Sequence, residues 1–122
     1  MFSFTFLMVL FVNCPRPLNS FKLCGNFCGP NYCNGNYISE ELCVKQTLIN
    51  STDPIDECCK KHDECCGNTL TRTNECNKHI ERCLFNRTGS GECSNLNKYE
   101  MDLVFLVLEN SICGEIGPSL SP

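Results

Sequence analysis

The sequence predicts a small, single-domain, all-α protein whose helices are cross-linked by disulfides. A chain of 122 residues is long enough for one hydrophobic core. Its 13 cysteines are typical of disulfide-rich proteins from oxidising compartments. One stretch that begins near residue 54 carries helix-cap signals, and two later stretches place apolar residues at helical spacing. We therefore expect an antiparallel helix pair joined by disulfides, an N-terminal loop and a C-terminal helix.

The N-terminus resembles a secretion signal. The run MFSFTFLMVLFV has the length of a signal-peptide core and is too short to cross a bilayer as a helix. The best small-residue cleavage site follows Ser20, so we assign residues 1–20 to a signal peptide and 21–122 to the folded domain. Cleavage there removes Cys14 and leaves an even number of cysteines, so that every one can pair. The expected location is extracellular.

Charge and composition narrow the range of partners. The chain has 10 basic and 14 acidic residues and no tryptophan. Such a balance provides no basic surface for a phosphate backbone, and we expect no nucleic-acid partner. Two N-glycosylation sequons begin at Asn50 and Asn86, which agrees with a secreted glycoprotein.

The first part of the domain is predicted to be loop, and the first helix follows it. Residues 21–50 contain many glycines, prolines and asparagines and no sustained helical period, so their backbone needs bridges from Cys24, Cys28, Cys33 and Cys43. Asp53 is a suitable N-cap, with proline directly after it and acidic residues in the first turn. We predict a helix over 54–66, with Gly67 as its stop.

Two further helices are predicted. The second covers about 74–86, with one charged face and an apolar stripe. The third covers about 96–110 and is apolar on nearly every side. We expect it to pack against both other helices through one stripe, formed by Leu96, Tyr99, Leu103, Leu106 and Val107.

The cysteine spacing predicts how the first two helices are joined. Cys58 and Cys65 are seven residues apart, as are Cys76 and Cys83, so each pair lies on one helix face. The index sums of 58 with 83 and of 65 with 76 are equal, as two rungs between antiparallel helices require. Bridges Cys58–Cys83 and Cys65–Cys76 follow.

A zinc site in the segment CCKKHDECC is the alternative. Adjacent cysteines on a helix point about 100° apart. The segment also lacks the separated Cys-x2-Cys pairs of structural zinc sites. Bridges are therefore favoured over thiolate ligands.

Two motifs resemble those of secreted, calcium-dependent phospholipases A2. The family's helix signature, Asp-x-Cys-Cys-x-x-His-Asp-x-Cys, occurs without a gap at 56–65, and its calcium loop occurs as Phe-Cys-Gly-Pro-Asn at 27–31. The resemblance extends over about 24–85. A single apolar helix after Cys93, with no β-wing, is more similar to the small plant-type enzymes than to the vertebrate ones.

The resemblance implies a catalytic assignment. His62 would be the general base that activates water, and the Gly29 amide would help to stabilise the oxyanion. Asp63 would bind calcium through its carboxylate, together with the backbone carbonyls of Phe27, Gly29 and Asn31. The same resemblance implies a Cys28–Cys59 bridge between the loop and the helix.

This chain departs from the family pattern at three positions. Asn31 stands where glycine is usual, which asparagine tolerates because it accepts positive φ, although Tyr32 is an alternative source of the third carbonyl. Cys66 replaces a tyrosine of the vertebrate relatives that helps to hold the acidic partner of the histidine. That partner is Asn77 here, whose amide oxygen can orient the His62 ring without adding charge.

The implied function is hydrolysis of the sn-2 ester of glycerophospholipids by a monomer at a membrane surface or micelle. The alternative is a phospholipase-like binding protein or toxin subunit with little or no turnover. An isolated His-Asp pair is more often a solvated helix face, and the adjacent loop of turned carbonyls is what favours catalysis. His79, among charged neighbours, is interpreted as a surface residue. Tyr32, Tyr37 and Phe27 either line the lipid entrance or form a small core.

Overall fold

The protein is mainly helical. Its computed structural model describes residues 16–85, 91–96, 98–109 and 111–113, so the apolar N-terminal run lies outside the described part. Within that part, no helix has both the length and the apolar character needed to cross a bilayer. The elements are strands β1 (Tyr32–Cys33) and β2 (Asn36–Tyr37), helices α1 (Glu40–Cys43), α2 (Pro54–Gly67) and α3 (Asn74–Phe85), a 3-10 turn (Gly91–Asn95) and helix α4 (Lys98–Glu109).

Helix α2 begins where the sequence predicts and ends one residue later. The Asp53 side chain accepts a hydrogen bond from the Asp56 backbone N–H at 2.9 Å, which confirms the N-cap. Gly67 is not the stop, because it is still helical and Asn68 is the C-cap. A Cβ at Gly67 would lie 2.4 Å from the Glu40 carbonyl oxygen of α1. Glycine is therefore required here for close helix packing rather than for termination.

Six disulfides join the elements in the described part of the chain. Cys58–Cys83 and Cys65–Cys76 link α2 to α3, and these are the two pairings predicted from the index sums. The Cys28–Cys59 pairing implied by the family resemblance is also present. The bridges that spacing left open are Cys24–Cys93, Cys33–Cys43 and Cys66–Cys113. Each small hydrophobic cluster of the core contains buried half-cystines.

The segment predicted to be entirely loop contains a hairpin and a helical turn. Strands β1 and β2 pair antiparallel, and the turn between them is Asn34-Gly35, with φ of 57° and 77°. Two consecutive positive φ values are what a two-residue type I′ turn requires, and Asn-Gly is its preferred sequence. Helix α1 follows, with the Ser39 side chain accepting from the backbone N–H of Leu42 at its N-terminus.

Helix α4 buries a different stripe from the predicted one. Leu103, Leu106 and Val107 are 43 to 55 % exposed. The side chain of Tyr99 lies outside the described part of the chain. Leu108 is buried instead, in a cluster that also holds Ile55 of α2 and Ile80 and Leu84 of α3; packed against it are Met101, Val104 and Phe105. Leu96 lies before α4 rather than in it, and it packs against the same cluster. A helix that is apolar nearly all round has no polar face to mark its outer side, which is why the prediction was wrong for Leu103, Leu106 and Val107.

The described end of the predicted signal peptide contacts the domain. The Arg16 guanidinium lies 3.7 Å from the centroid of the Tyr37 ring. Further along, the Leu18 carbonyl accepts from the Asn31 side-chain amide at 3.3 Å. The first residues of the predicted mature chain continue this contact, with the Phe21 N–H donating to the Pro30 carbonyl at 3.0 Å.

We expect Gly67→Ala to lower the free energy of unfolding by about 1–3 kcal/mol, the usual cost of overpacking. Helix propensity alone predicts the opposite sign, a gain of about 1 kcal/mol. Guanidinium denaturation with intact disulfides, followed by circular dichroism, measures the change. Lys61→Ala, at an exposed position of the same helix, is the control and should stay within about 0.5 kcal/mol of the parent. A stabilised Gly67→Ala protein would contradict the close packing of α1 against α2.

Candidate catalytic and metal site

One face of α2 organises the candidate site. Asp56, Cys59 and Asp63 follow one another at spacings of three and four residues, so their side chains project from the same side of the helix. The first binds the loop by hydrogen bonds and the second by a disulfide to Cys28. The loop therefore lies along this face, and Cys28 is held one helical turn from Asp63.

Asp56 fixes the backbone of the loop. Its side chain is fully buried. Its carboxylate accepts from the backbone N–H groups of Asn26, at 3.0 and 3.1 Å, and of Phe27, at 2.9 Å. It also accepts from the Thr52 N–H at 2.9 Å. Such charge-assisted bonds are stronger than neutral ones. Asp56 is part of the quoted signature, but the sequence indicates no loop partner for it, because its partners in the loop are backbone groups 29 and 30 residues away.

Two glycines permit the close approach of the loop. A Cβ at Gly25 would lie 2.3 Å from an Asp56 carboxylate oxygen, so glycine is needed for the carboxylate to reach the backbone. A Cβ at Gly29 would lie 1.9 Å from the Phe21 carbonyl oxygen, and φ there is 144°. Any side chain at position 29 would push the loop away from the neighbouring segment that contains Phe21.

The structure defines the backbone of Asn31 and the side chain of Phe27, two of the residues predicted as calcium ligands. Asn31 has φ of 50°, the positive value that the sequence analysis anticipated for asparagine there. Its carbonyl accepts from the Ile38 N–H at 3.0 Å, which leaves one lone pair for a further partner. The side chains of Phe27 and Tyr32 are buried, with 1 and 4 % exposure, so both belong to a small core and only Tyr37 is exposed.

Asp63 is a buried carboxylate with an unused oxygen. Its residue is 3 % exposed, and within the described part of the chain no group donates a hydrogen bond to Oδ2. Burial raises the pKa of this carboxyl well above its usual range, and the negative charges of Glu40, Asp56 and Glu64 raise it further. A cation bound there would offset this cost. Hard oxygen donors of this kind suit calcium, so the residues present fit that ion.

His62 lies next to Asp63 and is hydrogen-bonded across to α3. Its Nε2 is 2.7 Å from Oδ1 of Asn77, whose own Nδ2 is 2.8 Å from the carbonyls of Leu108 and Ser111. Carbonyls only accept, which places the amide nitrogen toward them and the amide oxygen toward the ring. Since that oxygen also only accepts, Nε2 carries the proton. In the neutral ring Nδ1 therefore holds the lone pair that a general base needs.

The electrostatic surroundings keep His62 neutral. Burial lowers the pKa of the ring below its ordinary value, and the positive charge of Arg72 lowers it further, whereas the hydrogen bond with Asn77 opposes the shift. A ring that is neutral near pH 7 can accept a proton. His79, by contrast, is exposed on α3, as the sequence analysis expected.

Two cavities border this region. One, of about 490 Å³, lies between α2 and α3 and is lined by His62, Lys61 and His79 together with half-cystines. The other, of about 350 Å³, is lined by Asn31 of the loop, by Arg72 and by the two half-cystines of Cys66–Cys113. Sulfur atoms also cluster near His62 and near Cys24. All of them are in disulfides, so they offer no thiolate to a soft metal.

Comparisons of the chain with protein-family models, with curated proteins and with solved structures gave no match.

We expect Asp63→Asn to stabilise the calcium-free protein at neutral pH, because it removes a buried charge. The folded-state pKa of Asp63 is raised, so the parent loses stability as pH rises above the unfolded pKa of about 3.9 and passes through the folded value. Denaturant unfolding in chelator between about pH 4 and 8 should therefore show a gap between variant and parent that widens with pH.

The control is Glu41→Gln, which removes an exposed carboxylate of α1. Its stability should run parallel to the parent's. If the stability of Asp63→Asn also runs parallel to that of the parent over this pH range, Asp63 is not the buried carboxyl with a raised pKa described above.

Proposed function

We propose that this protein is a secreted, calcium-dependent phospholipase A2 that hydrolyses the sn-2 ester of glycerophospholipids. One observation carries the proposal: a histidine ring hydrogen-bonded to Asn77 and a buried carboxylate with one unpartnered oxygen occupy consecutive positions of α2, beside a loop that is bonded to the same helix. A solvated His-Asp face would be exposed, whereas Asp63 is 3 % exposed. The motif resemblance is consistent with this arrangement.

The chain's own groups account for the proton transfers. His62 Nδ1 takes a proton from a water molecule as the water oxygen forms a bond to the ester carbonyl carbon. The same ring then gives that proton to the departing glycerol oxygen, so that a fatty acid and a lysophospholipid leave. Asn77 keeps the ring oriented through Oδ1. The Gly29 N–H is the candidate donor to the oxyanion that forms on the carbonyl oxygen.

The candidate calcium ligands are the Asp63 carboxylate and the backbone carbonyls of Phe27, Gly29 and Asn31. Calcium takes six to eight oxygen ligands, so these groups leave coordination positions for water or substrate. When bound, the ion would polarise the ester carbonyl and stabilise its developing negative charge. The Asp56 clamp and the Cys28–Cys59 bridge hold the loop against the helix that carries Asp63.

The proposed substrate is presented at a phospholipid surface. Exposed apolar side chains lie at both edges of the loop region, with Phe21 before it and Leu42 after it. Apolar contacts of this kind support adsorption to a membrane or micelle by a chain that is acidic overall. Six disulfides are consistent with the proposed extracellular location.

We expect fatty-acid release from mixed phospholipid vesicles to require calcium at about 0.1–1 mM, the range of extracellular sites with few charged ligands. His62→Gln should lower turnover by about 10²–10⁴-fold while calcium affinity, measured by calorimetry, is retained. Asp63→Asn should abolish both.

Two matched variants serve as controls. His79→Gln replaces an exposed histidine of α3 and Glu64→Gln an exposed acid next to Asp63, and both should retain turnover and calcium binding. Full turnover in chelator would overturn the proposal. Calcium binding without fatty-acid release by the parent protein would instead identify the phospholipase-like binding protein.

A further inference from the structure

The Asn77 amide occupies a position that only an amide satisfies. Its residue is 3 % exposed. Its Nδ2 donates to two backbone carbonyls, those of Leu108 and Ser111, at 2.8 Å each, while Oδ1 faces the His62 ring at 2.7 Å. Two acceptors on one side and a donor on the other match the two ends of an amide. A carboxylate has no hydrogen to offer the carbonyls, and an apolar side chain would leave all three partners unsatisfied.

Both carbonyls come from the C-terminal end of α4 and the chain just after it. Leu108 lies in the last turn of α4, and the Ser111 hydroxyl donates back to the Val107 carbonyl at 2.6 Å. Residues 111–113 lie outside regular helices and strands, apart from a single bridge residue, Ile112, which packs against the cluster that contains Cys66 and Cys113. Their covalent attachment is the Cys66–Cys113 disulfide, in which both half-cystines are buried.

That disulfide returns to the helix of the candidate base. Cys66 is one turn after His62 on α2, and its Sγ is 3.4 Å from the ring Nε2. The bridge therefore contacts the ring and also anchors the segment whose carbonyl holds the ring's partner. Hydrogen bonds link His62 to Asn77 and Asn77 to Ser111. The Cys66–Cys113 disulfide then links the Ser111 segment back to α2, the helix that carries His62.

We propose that the Cys66–Cys113 disulfide is a positioning element of the candidate catalytic pair, because it holds the backbone carbonyl that fixes the Asn77 amide and so selects the Nε2–H tautomer of His62. This inference rests on the proposed function for its importance to the rate. The tautomer itself can be measured without calcium or substrate, so the two ideas fail separately.

The first experiment determines the tautomer in the parent protein. Two-bond ¹H–¹⁵N correlation spectra of the His62 ring, recorded in chelator at a pH where the ring is neutral, distinguish a proton on Nε2 from one on Nδ1. We expect a single Nε2–H form. A predominant Nδ1–H form would overturn the inference, whatever the activity of the protein.

The second experiment removes the bridge. In Cys66→Ala/Cys113→Ala we expect a mixture of tautomers and turnover lowered by about 10- to 100-fold, since small misplacements of a catalytic group have effects of this size. The control is Cys24→Ala/Cys93→Ala, whose bridge spans 69 residues rather than 47. The control should lose at least as much chain-entropy stabilisation and still keep the single tautomer. A folded Cys66→Ala/Cys113→Ala protein with one tautomer and full turnover would refute the proposal.

Ser111→Ala decides the matter if that double variant does not fold. It removes the hydroxyl bond to Val107 and leaves the Cys66–Cys113 disulfide and the Ser111 carbonyl in place. If the disulfide holds that carbonyl, Ser111→Ala keeps the single Nε2–H tautomer and its turnover. A second tautomer in its spectrum would show that the hydroxyl bond, and not the disulfide, positions the segment, and would overturn the inference.

A third experiment tests the polarity of the Asn77 position through stability alone. Asn77→Asp keeps an acceptor for His62 but offers no donor to the carbonyls, whereas Asn77→Ala removes both. We expect Asn77→Asp to lower the melting temperature in chelator at pH 7 at least as much as Asn77→Ala does. If Asn77→Asp has the same melting temperature as the parent, the two carbonyls do not require an amide at position 77.

Discussion

The candidate site depends on one buried carboxylate, that of Asp56. A fully buried charge is costly unless hydrogen bonds satisfy it, and here the donors are backbone N–H groups of the loop and of Thr52, two residues before the helix. The bonds hold the loop and the segment before the helix at one point on α2. This anchor and the Cys28–Cys59 bridge hold the loop beside the helix that carries Asp63. The metal chemistry proposed for Asp63 is thus built on a neighbour two turns away that binds no metal itself.

The disulfides supply the rigidity that the small core cannot. The largest hydrophobic cluster is formed by a few aliphatic side chains interleaved with half-cystines, which is little apolar surface for a chain of 122 residues. Two bridges hold α2 against α3 and a third holds the loop against α2. His62, Asp63 and Asn77 therefore stand on elements whose relative positions are covalently restrained, which is what precise placement of catalytic groups requires.

Sequence reasoning succeeded where a local rule has one solution. The Asp53 cap and the seven-residue cysteine spacing predict α2 and its two bridges to α3, and both are found. Sequence reasoning failed where the structure depends on backbone groups that are distant in the sequence. Asn34-Gly35 is a preferred turn sequence, but it lies among other glycine, proline and asparagine residues that give no sign of the strands beside it. The role of Gly67 depends on its close contact with α1. The sequence also does not show that Cys66 and Asn77 are connected through residues 111–113, as they are in the structure.

The sequence separation of the bridged cysteines affects the order in which the disulfides can form. Cys65–Cys76 lies inside Cys58–Cys83, and the two loops span 11 and 25 residues. Cys24–Cys93 and Cys66–Cys113 span 69 and 47. Because the entropic cost of closing a loop grows with its length, the helical hairpin can be oxidised first and the long-range bridges last. Cys113 is also among the last cysteines to leave the ribosome. A partly oxidised chain would then hold His62 and Asn77 on a formed hairpin before the carbonyls of Leu108 and Ser111 are fixed, so the candidate site would be completed only when the last bridge forms.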